Sequence, residues 1–361
     1  MRPKILLLGP AMGAISGVST HLNQLFNSEL TVRFDLLHFQ VGSEGRQENG
    51  FHKLVRFVFS PLVLLVFLLR HRPDIVHLNT AMLLKSYWRD NVYLLVARLL
   101  GRKVVYQVHG GALPEDFFAG NRLLTALLRR VLEQPDVLLL LAQVELNAYR
   151  RFVPGQRLEV IPNAIDVSAT KSLTAKPAGS LHLVYLGRIV KDKGVFEIVE
   201  TLAVLAGQGR KLRLTIGGNG PDEERLRARV STLGLDERVE FIGPVFGMDK
   251  DCLWNAAHVF VFPTYREGLP YALLEAMAAG AVPITTKVGA IPDVMQDGGH
   301  GLFVEPRSTV DLARAIARLD DDRVLLARMA EAGQKRVLVH YTVARLACDF
   351  ERIYDSLGVK G

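Results

Sequence analysis

Cysteine is nearly absent from this sequence, which has two in 361 residues, Cys252 and Cys348. Two cysteines cannot build a disulfide framework, a cysteine-rich zinc site or an iron–sulfur cluster, and they suit a reducing compartment. Hydrophobic residues make up 49% and charged residues 22%, which excludes an intrinsically disordered chain. The length predicts two domains, each large enough to bury its own core.

Long hydrophobic runs are also lacking. The run Ile5–Gly9 is too short for a signal peptide and reads as a buried first strand. The run Phe57–Leu69 has 13 residues, fewer than the roughly 20 that a membrane-spanning helix needs. It is flanked by Arg56 and Arg70, which leaves two interpretations open: a core helix packed on a sheet, or a helix lying in an anionic membrane interface. Both hold if only one face is buried.

Acidic residues are too few to balance the basic ones in the first half of the chain. Up to Asp166 there are 19 Lys and Arg against 13 Asp and Glu, and the remainder has 25 against 24. The first half therefore holds most of the net charge of +7. This asymmetry indicates an anionic surface or substrate there, with a merely soluble basic face as the alternative.

Apolar, β-rich runs alternate with helix-length segments along the chain, which predicts an α/β protein with parallel sheets covered on both faces. The polar segment 167–180 lacks apolar periodicity and makes the best linker. We expect two doubly wound, Rossmann-like domains, with the ligand in the cleft between them. The predicted strands are Ile5–Gly9, Val32–Phe39, Ile75–Leu78, Val104–Val108, Val137–Leu141, Glu159–Ile161, Leu183–Leu186, Leu212–Ile216, Val239–Ile242, Val259–Phe262, Val282–Ile284 and Leu302–Val304. Predicted helices include Ser19–Leu30, Met82–Leu100 and Asn121–Leu132.

The most informative stretch runs from Phe262 to Gly280. A helix is predicted to start near Leu269, with Pro270 in its first turn and Gly280 just past its end. Glu275 is the one charged residue of this apolar helix, and a buried carboxylate is costly unless it is hydrogen-bonded. Glu275 is therefore a ligand-binding candidate, with neutralisation by a neighbouring Arg as the alternative.

Glu267 precedes Glu275 by eight residues, at or just before the start of the same helix. Eight helical residues rise about 12 Å, which exceeds the roughly 5–9.5 Å between the paired acids of a glycoside hydrolase. The two carboxylates are better placed to contact opposite ends of one extended ligand. The helix N-terminus between them, with Gly268 allowing close backbone approach, would suit a diphosphate.

A second cluster of charges follows a predicted strand, in the segment from Gly187 to Gly194. Arg188 and Lys193 in this segment could bind phosphate oxygens and stabilise the charge of a departing diphosphate. The alternative is a solvated pair of loop charges. Downstream, Asn219 lies in a glycine-rich strand-to-helix turn of the kind that keeps backbone close to a ligand.

The first half offers weaker signals. The glycines after the first strand do not follow the G-x-G-x-x-G spacing, and no acidic residue ends the second strand, which argues against an NAD enzyme. His109 lies at the carboxyl end of a strand beside Gly110 and Gly111, a position that favours a functional role over a structural one.

These motifs resemble retaining glycosyltransferase family 4, whose members have the GT-B fold and use nucleotide-sugar donors. The resemblance rests on the E-x7-E pattern ending at Glu275, the Gly187–Gly194 segment, His109-Gly110, and a hinge at residues 161–166. Residues 341–357 are similar to the family's terminal helix. The resemblance implies an acceptor-binding domain over 1–166, the linker 167–180, a nucleotide-sugar-binding domain over 181–340, and a segment 341–361 that packs back on the first domain.

The family also implies roles for the donor contacts. Arg188 and Lys193 would hold the diphosphate, and Glu275 the ribose hydroxyls. Glu267, with the backbone amides of Gly268 and Leu269, would contact the donor sugar and phosphate. Asn219 belongs to the same implied donor site.

In the first domain, His109 would approach the transferred sugar and Gly17 would let the first loop come close to the donor or acceptor. The chain departs from the family at two places. Ser16 stands where a glycine usually precedes Gly17, and Ala164 replaces the commoner glycine of the hinge.

The expected function is transfer of a hexosyl group from a nucleoside diphosphate sugar to an acceptor hydroxyl, with retention of anomeric configuration. No cofactor or metal is expected, because no Asp-x-Asp motif or cluster of His and carboxylate residues suggests a catalytic metal. Expected partners are the donor and a sugar or lipid-linked acceptor, with peripheral contact to an anionic membrane on its cytoplasmic face and no nucleic acid. A GT-B sugar-nucleotide epimerase and a catalytically silent subunit of a polysaccharide assembly complex remain as alternatives.

Overall fold

The computed structural model describes residues 2–43, 49–167, 176 and 179–358. The chain divides into two compact units: the first unit, Met1–Ala164 with Val343–Gly361, and the second unit, Ile165–Thr342. Most of the predicted linker 167–180 lies outside the described residues.

The first unit is built on a parallel sheet of order β2-β1-β3-β4-β5-β6. Its strands are β1 Lys4–Gly9, β2 Asp35–Gln40, β3 Ile75–Met82, β4 Lys103–Gly111, β5 Val137–Leu140 and β6 Leu158–Val160. Its helices up to β6 are α1 Gly17–Phe26, α2 Leu30–Arg33, α3 Gly50–His71, α4 Leu84–Leu99, α5 Pro114–Phe117, α6 Arg122–Leu132 and α7 Gln143–Phe152.

Apolar residues cover both faces of this sheet because neighbouring residues of a strand point to opposite sides. Leu6 and Leu8 of β1 pack in one core with α3, α4, α6 and α7, whereas Ile5 and Leu7 pack in the other core with α1. The two cores confirm the predicted doubly wound α/β architecture of this half.

The predicted strand start at Val32 is wrong. Residues Leu30–Arg33 form one helical turn instead, and the strand begins at Asp35. Backbone bonds from Val32 N to Glu29 O and from Phe34 N to Leu30 O close this turn. Leu30 and Phe34 are buried, so the turn fixes the chain to the core before the strand starts.

Helix α3 is longer than the apolar run that predicted it, with 22 residues around Pro61. Leu64 and Leu68 are buried in the core of the first unit, and most of the other large apolar side chains of α3 are exposed. By length and composition alone, α3 is long enough and apolar enough to cross a membrane, and it is the one such helix among the described residues. The expectation that this segment falls short of a span is therefore corrected: the helix continues beyond the 13-residue run at both ends.

The second unit repeats the parallel design, with sheet order β12-β11-β10-β7-β8-β9. Its strands are β7 Leu181–Leu186, β8 Leu212–Gly217, β9 Val239–Gly243, β10 Val259–Phe262, β11 Val282–Thr285 and β12 Leu302–Phe303. Its helices are α8 Val195–Gly207, α9 Glu223–Thr232, α10 Gly247–Ala256, α11 Tyr271–Ala278, α12 Ile291–Val294, α13 Thr309–Asp321 and α14 Arg323–His340.

A last helix, α15 at Val343–Ser356, returns to the first unit. Its buried residues Leu346, Phe350 and Tyr354 join the core on the α1 side of the sheet. Two of its carboxylates, Glu351 and Asp355, each lie 3.1 Å from the Arg33 guanidinium. This helix therefore completes one face of a sheet whose strands come from the start of the chain.

Candidate functional site

The strand order of the second unit reverses between β7 and β10, which are neighbours in the sheet. Strands β8 and β9 follow on one side of β7, and β10 to β12 follow on the other. In doubly wound sheets, ligands bind beyond the carboxyl ends of the strands at such a reversal. The loops that leave β7 and β10 are residues 187–194 and 263–270, the two segments singled out from the sequence.

Backbone contacts join these two loops. Gly194 has φ +73°, a left-handed conformation, and a side chain there would lie 2.2 Å from the carbonyl oxygen of Pro263. The Tyr265 amide donates to the carbonyl of Asp192 at 2.9 Å. Only glycine permits this approach at low cost, so the packing explains why Gly194 ends the first segment.

The Nζ of Lys193 donates to Oε1 of Glu267, which also accepts a 3.1 Å hydrogen bond from Thr264 Oγ1. The side chains of Lys193 and Glu267 are 24% and 11% exposed. Lys193 also lies 5.7 Å from the ring centre of Phe262, at the end of β10. These contacts fix both charged side chains at the reversal point.

A third loop supports the backbone of Glu267 and Gly268. It follows β11, the other neighbour of β10, and its Ala290 amide donates to the Gly268 carbonyl at 2.9 Å. Gly289 has φ +56°, and a side chain there would lie 2.2 Å from the carbonyl oxygen of Glu267. These contacts fix the position of the peptide units that lead into α11.

Arg188 is exposed, and its guanidinium forms no hydrogen bond or ion pair with any described residue. Its backbone is fixed, because the Tyr185 hydroxyl donates to the Arg188 carbonyl at 2.7 Å. Asn219 lies in the turn after β8, where its carbonyl accepts from the Ile189 amide at 2.8 Å. Arg188, Lys193, Glu267 and Gly268 thus lie on the two loops that leave β7 and β10, and we call this group the switch-point site.

Glu275 lies in the middle of α11, and its side-chain partners belong to α10 rather than to the loops of the switch-point site. Lys250 Nζ of α10 is 2.7 Å from Oε1 of Glu275, and the indole nitrogen of Trp254 donates to Oε2 at 3.3 Å. The expected helix start at Leu269 shifts to Tyr271, whereas Gly280 takes the left-handed conformation, φ +73°, expected past a helix end. The Glu275 carboxylate is thus paired, with a Lys and an indole rather than with an Arg.

In the first unit, His109 lies near the carboxyl end of β4. Its Nε2 is 2.9 Å from Oδ1 of Asn79, whose amide nitrogen donates to the Leu8 carbonyl at 3.2 Å. Because this second bond orients the Asn79 amide, Nε2 of His109 is the protonated nitrogen and Nδ1 is the acceptor. Burial, aided by the nearby rings of His21 and His77, lowers the pKa of His109 well below its usual range. His109 is therefore neutral at pH 7.

The loop after β1 ends in a helix cap. Ser16 accepts a 3.2 Å hydrogen bond from the Ser19 amide, and Gly17 is the first residue of α1. Serine is a strong N-cap residue, which gives the departure from the family's second glycine a structural reason.

Several neighbours of the predicted residues were not found from the sequence. Lys250 and Trp254 are far from Glu275 along the chain, and the one available signal was the cost of a buried carboxylate without a partner. Asn79 and His21 contact His109, Asn79 by the bond above and His21 through rings 4.9 Å apart. The sequence offered no signal for either contact.

The fold is that of an α/β protein of two units, and the switch-point site lies at the reversal of the sheet in its second unit. Residues 20–169 match the family described as Glycosyltransferase Family 4, and residues 169–336 match Glycosyl transferases group 1. The chain therefore belongs to the GT-B glycosyltransferases.

Individual relatives agree. The capsular polysaccharide biosynthesis glycosyltransferase CapM of Staphylococcus aureus is 30% identical over 48% of this chain and 45% of its own length. A sucrose-phosphate synthase from Thermosynechococcus elongatus has the same fold, with TM-score 0.81, 19% identity and 99% of both chains covered. Anabaena HepE, solved with UDP-glucose, has TM-score 0.76, 17% identity, and coverage of 98% of this chain and 99% of its own. The chain spans about half the length of the curated relatives that it matches.

Proposed function

We propose that this protein transfers a hexosyl group from a nucleoside diphosphate sugar to an acceptor hydroxyl, with retention of anomeric configuration. The observation that supports it most is the switch-point site: the Lys193–Glu267 pair lies at the reversal of the sheet, and Arg188, whose guanidinium has no partner among the described residues, is exposed in the same loop as Lys193. Family membership supports the same reaction.

The leaving group of this reaction is a nucleoside diphosphate, which gains negative charge as the bond from the anomeric carbon to its oxygen breaks. Arg188 and Lys193 would bind the diphosphate oxygens and stabilise that charge. The backbone amides that follow Glu267, at the N-terminus of α11, would donate to the diphosphate. The positive end of the α11 helix dipole would stabilise the same negative charge. Asn219, Gly268 and Leu269 line the loops that would contact the donor.

Oε1 of Glu267 accepts from Lys193 and Thr264, so we assign this carboxylate the role of holding Lys193 rather than that of a covalent nucleophile. A front-face displacement needs no such nucleophile: the departing phosphate oxygen accepts the acceptor's proton while the acceptor oxygen bonds to the same face of the sugar. Neutral His109, whose Nε2 donates to Asn79, would then accept a hydrogen bond from a sugar hydroxyl at Nδ1 rather than supply a charge. Glu275 would accept hydrogen bonds from the ribose hydroxyls.

No metal ion is required in this scheme, because the two basic side chains and the helix terminus supply the positive charge. Activity should therefore survive a chelator such as EDTA at millimolar concentration. A loss of activity that added Mg²⁺ or Mn²⁺ restores would contradict this part of the proposal.

The acceptor is proposed to be a sugar or a lipid-linked intermediate met at the cytoplasmic face of a membrane. Helix α3 supports this, because Phe57, Leu62 and Val66 expose 53%, 56% and 63% of their area and basic residues flank the helix. The epimerase and the silent subunit have no observation in their favour, and the names of the relatives describe transferases and synthases.

Thermal unfolding with UDP, GDP, ADP and CMP tests the donor class. A ligand at about 100 times its dissociation constant stabilises the folded state by roughly 2.7 kcal/mol, which gives a measurable shift in Tm. We expect a shift with one nucleotide, and its loss in the Arg188→Ala/Lys193→Ala double variant. Donor turnover that needs an acceptor separates a transferase from an epimerase, and no shift with any nucleotide would contradict the proposal.

A further inference from the structure

Three neighbouring helices of the first unit present apolar residues outward. Helices α3, α4 and α6 pack on the same face of the sheet, where their inner residues share one core. Their outer faces should be polar in an ordinary globular protein. On α4, however, exposed apolar residues recur at helical spacing: Leu84, Trp88, Val92, Leu95 and Leu99. Leu123 and Leu127 of α6 and much of α3 extend the same surface.

Basic residues predominate among the exposed charges of these three helices. Helices α3 and α6 contain no Asp or Glu, and the one acidic residue of α4 is Asp90. Asp90 is buried and lies 2.7 Å from Arg89, so it does not offset the exposed basic residues. The layer therefore combines an apolar surface with positive charge, which complements an anionic amphiphile.

A pocket of about 310 Å³ opens within this layer, between α4 and α6. Trp88, Val92 and Leu95 form its α4 wall, and Leu127 and Val131 form its α6 wall. A pocket of this size with apolar walls is large enough to enclose part of a hydrocarbon chain.

Two guanidinium groups line the pocket together with these apolar residues. Arg98 of α4 is 2.8 Å from Asp136 and is thereby held in place. Arg130 of α6 is exposed and has no carboxylate partner in the described part of the chain. Its guanidinium can donate two hydrogen bonds to a phosphate group that remains at the surface. A hydrocarbon chain attached to that phosphate would then enter the pocket.

We infer that the α4–α6 pocket binds one acyl chain of an anionic phospholipid drawn from a bilayer, with Arg130 on its phosphate. This inference rests on the proposed membrane contact and gives that contact a defined lipid site. The arguments for this occupant are the apolar walls, the exposed basic residues of α3, α4 and α6, and the continuity of the pocket with the exposed apolar surface of α3 and α4.

Dodecyl phosphate below its micellar concentration is the probe, because a single molecule can enter a pocket but cannot mimic a bilayer surface. The chain has two tryptophans, so Trp254→Phe leaves Trp88, a pocket residue, as the fluorescent reporter. We expect saturable 1:1 binding that changes Trp88 emission, and binding roughly tenfold weaker for decyl phosphate. Inorganic phosphate at the same concentration should not compete.

Matched variants locate the site. Leu95→Asp places a carboxylate in the pocket, and Leu99→Asp places one a turn further along the same helix, outside the pocket wall. Both side chains are exposed, at 58% and 76%, so neither change should prevent folding. We expect Leu95→Asp to weaken binding more than tenfold and Leu99→Asp less than twofold. Arg130→Glu and Arg122→Glu make a second pair on α6, with the loss confined to Arg130→Glu.

Failure of the inference and failure of the proposals above give different results. Binding to phosphatidylglycerol vesicles without binding of monomeric dodecyl phosphate would overturn the pocket and leave the membrane contact standing. Equal effects of Leu95→Asp and Leu99→Asp would likewise overturn it. The nucleotide-induced Tm shift should be unchanged in Leu95→Asp, which separates this site from the donor site.

Discussion

Lys250 and Glu275 form an ion pair of 2.7 Å between adjacent helices of the second unit, α10 and α11. Both side chains are partly exposed, at 30% and 18%, so the pair keeps contact with solvent. Lys250 holds one carboxylate oxygen and the Trp254 indole holds the other. The carboxylate of Glu275 is thus oriented before any ligand binds.

We predict that Glu275→Ala removes discrimination at the ribose. A hydrogen bond to a charged acceptor contributes about 1.5–3 kcal/mol, which corresponds to a loss of about tenfold or more in nucleotide affinity. The wild type should bind the ribonucleoside diphosphate more tightly than its 2′,3′-dideoxy form, and the variant should bind both equally. Calorimetric titration measures this, and retained discrimination in the variant would contradict the assignment.

Lys250→Met should disturb Glu275 without touching the ligand directly. The loss of the cation leaves a partly buried carboxylate with one partner, which we expect to lower the free energy of unfolding by about 1 kcal/mol after allowance for solvent screening. Lys250→Arg keeps the charge and serves as the matched control. A thermal melt in which the Met and Arg variants behave alike would show that the ion pair is unimportant.

Arg188→Ala and Lys193→Ala should each reduce kcat by about 10²–10³, the usual effect of removing one group that stabilises transition-state charge. Lys191→Ala is the control, because Lys191 is exposed in the same loop and has its own backbone contact to Asp222. Initial rates at saturating donor measure the effect. Near-normal rates in both site variants would exclude the switch-point site as the catalytic centre.

Gly194→Ala should separate the two loops of the site. The conformation with φ +73° is unfavourable for alanine, and its side chain would collide with Pro263 O, so the Lys193–Glu267 contact should be lost. We expect lower kcat/KM and a lower Tm. Gly207→Ala at the end of α8 has no atom within 4 Å of the new methyl group and should be neutral, which makes it the control.

Acid should destabilise the first unit through its buried histidines. Burial lowers the pKa of His21 to about 4 and that of His77 to about 3, so both are neutral when folded. The unfolded chain binds protons first, near pH 6.5, and stability present above that pH is lost as the pH falls towards 4. For His21 the loss is about 3 kcal/mol. Denaturant titrations from pH 7 to pH 4 should show a shallower decline in His21→Phe, and an identical decline would contradict this.

Vesicle binding tests the membrane contact of α3. Wild-type protein should sediment with phosphatidylglycerol vesicles at low ionic strength and be released by salt, as expected for attraction between basic side chains and anionic lipid. Leu62→Asp with Val66→Asp should abolish binding. Val204→Asp, on an apolar residue of α8 that is 53% exposed, controls for added charge. Absence of wild-type binding at low salt would favour a soluble acceptor.

Much of this fold follows from sequence pattern. The strands of the second unit are continuous apolar runs between turn residues, and Gly280 marks the end of α11 because it takes a left-handed conformation. The predicted strand start at Val32 was wrong for a local reason. Valine is β-branched and favours strands by propensity, but backbone hydrogen bonds hold residues 29–34 in a helical turn.

The partners of the site were harder to predict than its members. Arg188, Lys193, Glu267 and Glu275 lie in local motifs, so spacing along the chain is enough to select them as candidates. Lys250 meets Glu275 through the packing of α10 against its neighbours, and nothing local to Lys250 distinguishes it from other surface lysines. Long-range pairing is set by topology, which single-sequence patterns do not encode.

Helix α15 has a consequence for the order in which the protein is made. The ribosome completes the second unit before α15 emerges, so until then the sheet of the first unit lacks Phe350, Tyr354 and the rest of that cover. During that interval His77 lacks the Tyr354 hydroxyl, which lies 2.9 Å from its ring nitrogen in the finished fold. The first unit, whose strands are synthesised first, is therefore the unit whose core is completed last. Until α15 packs, its uncovered sheet face exposes apolar residues that a chaperone of nascent chains would bind.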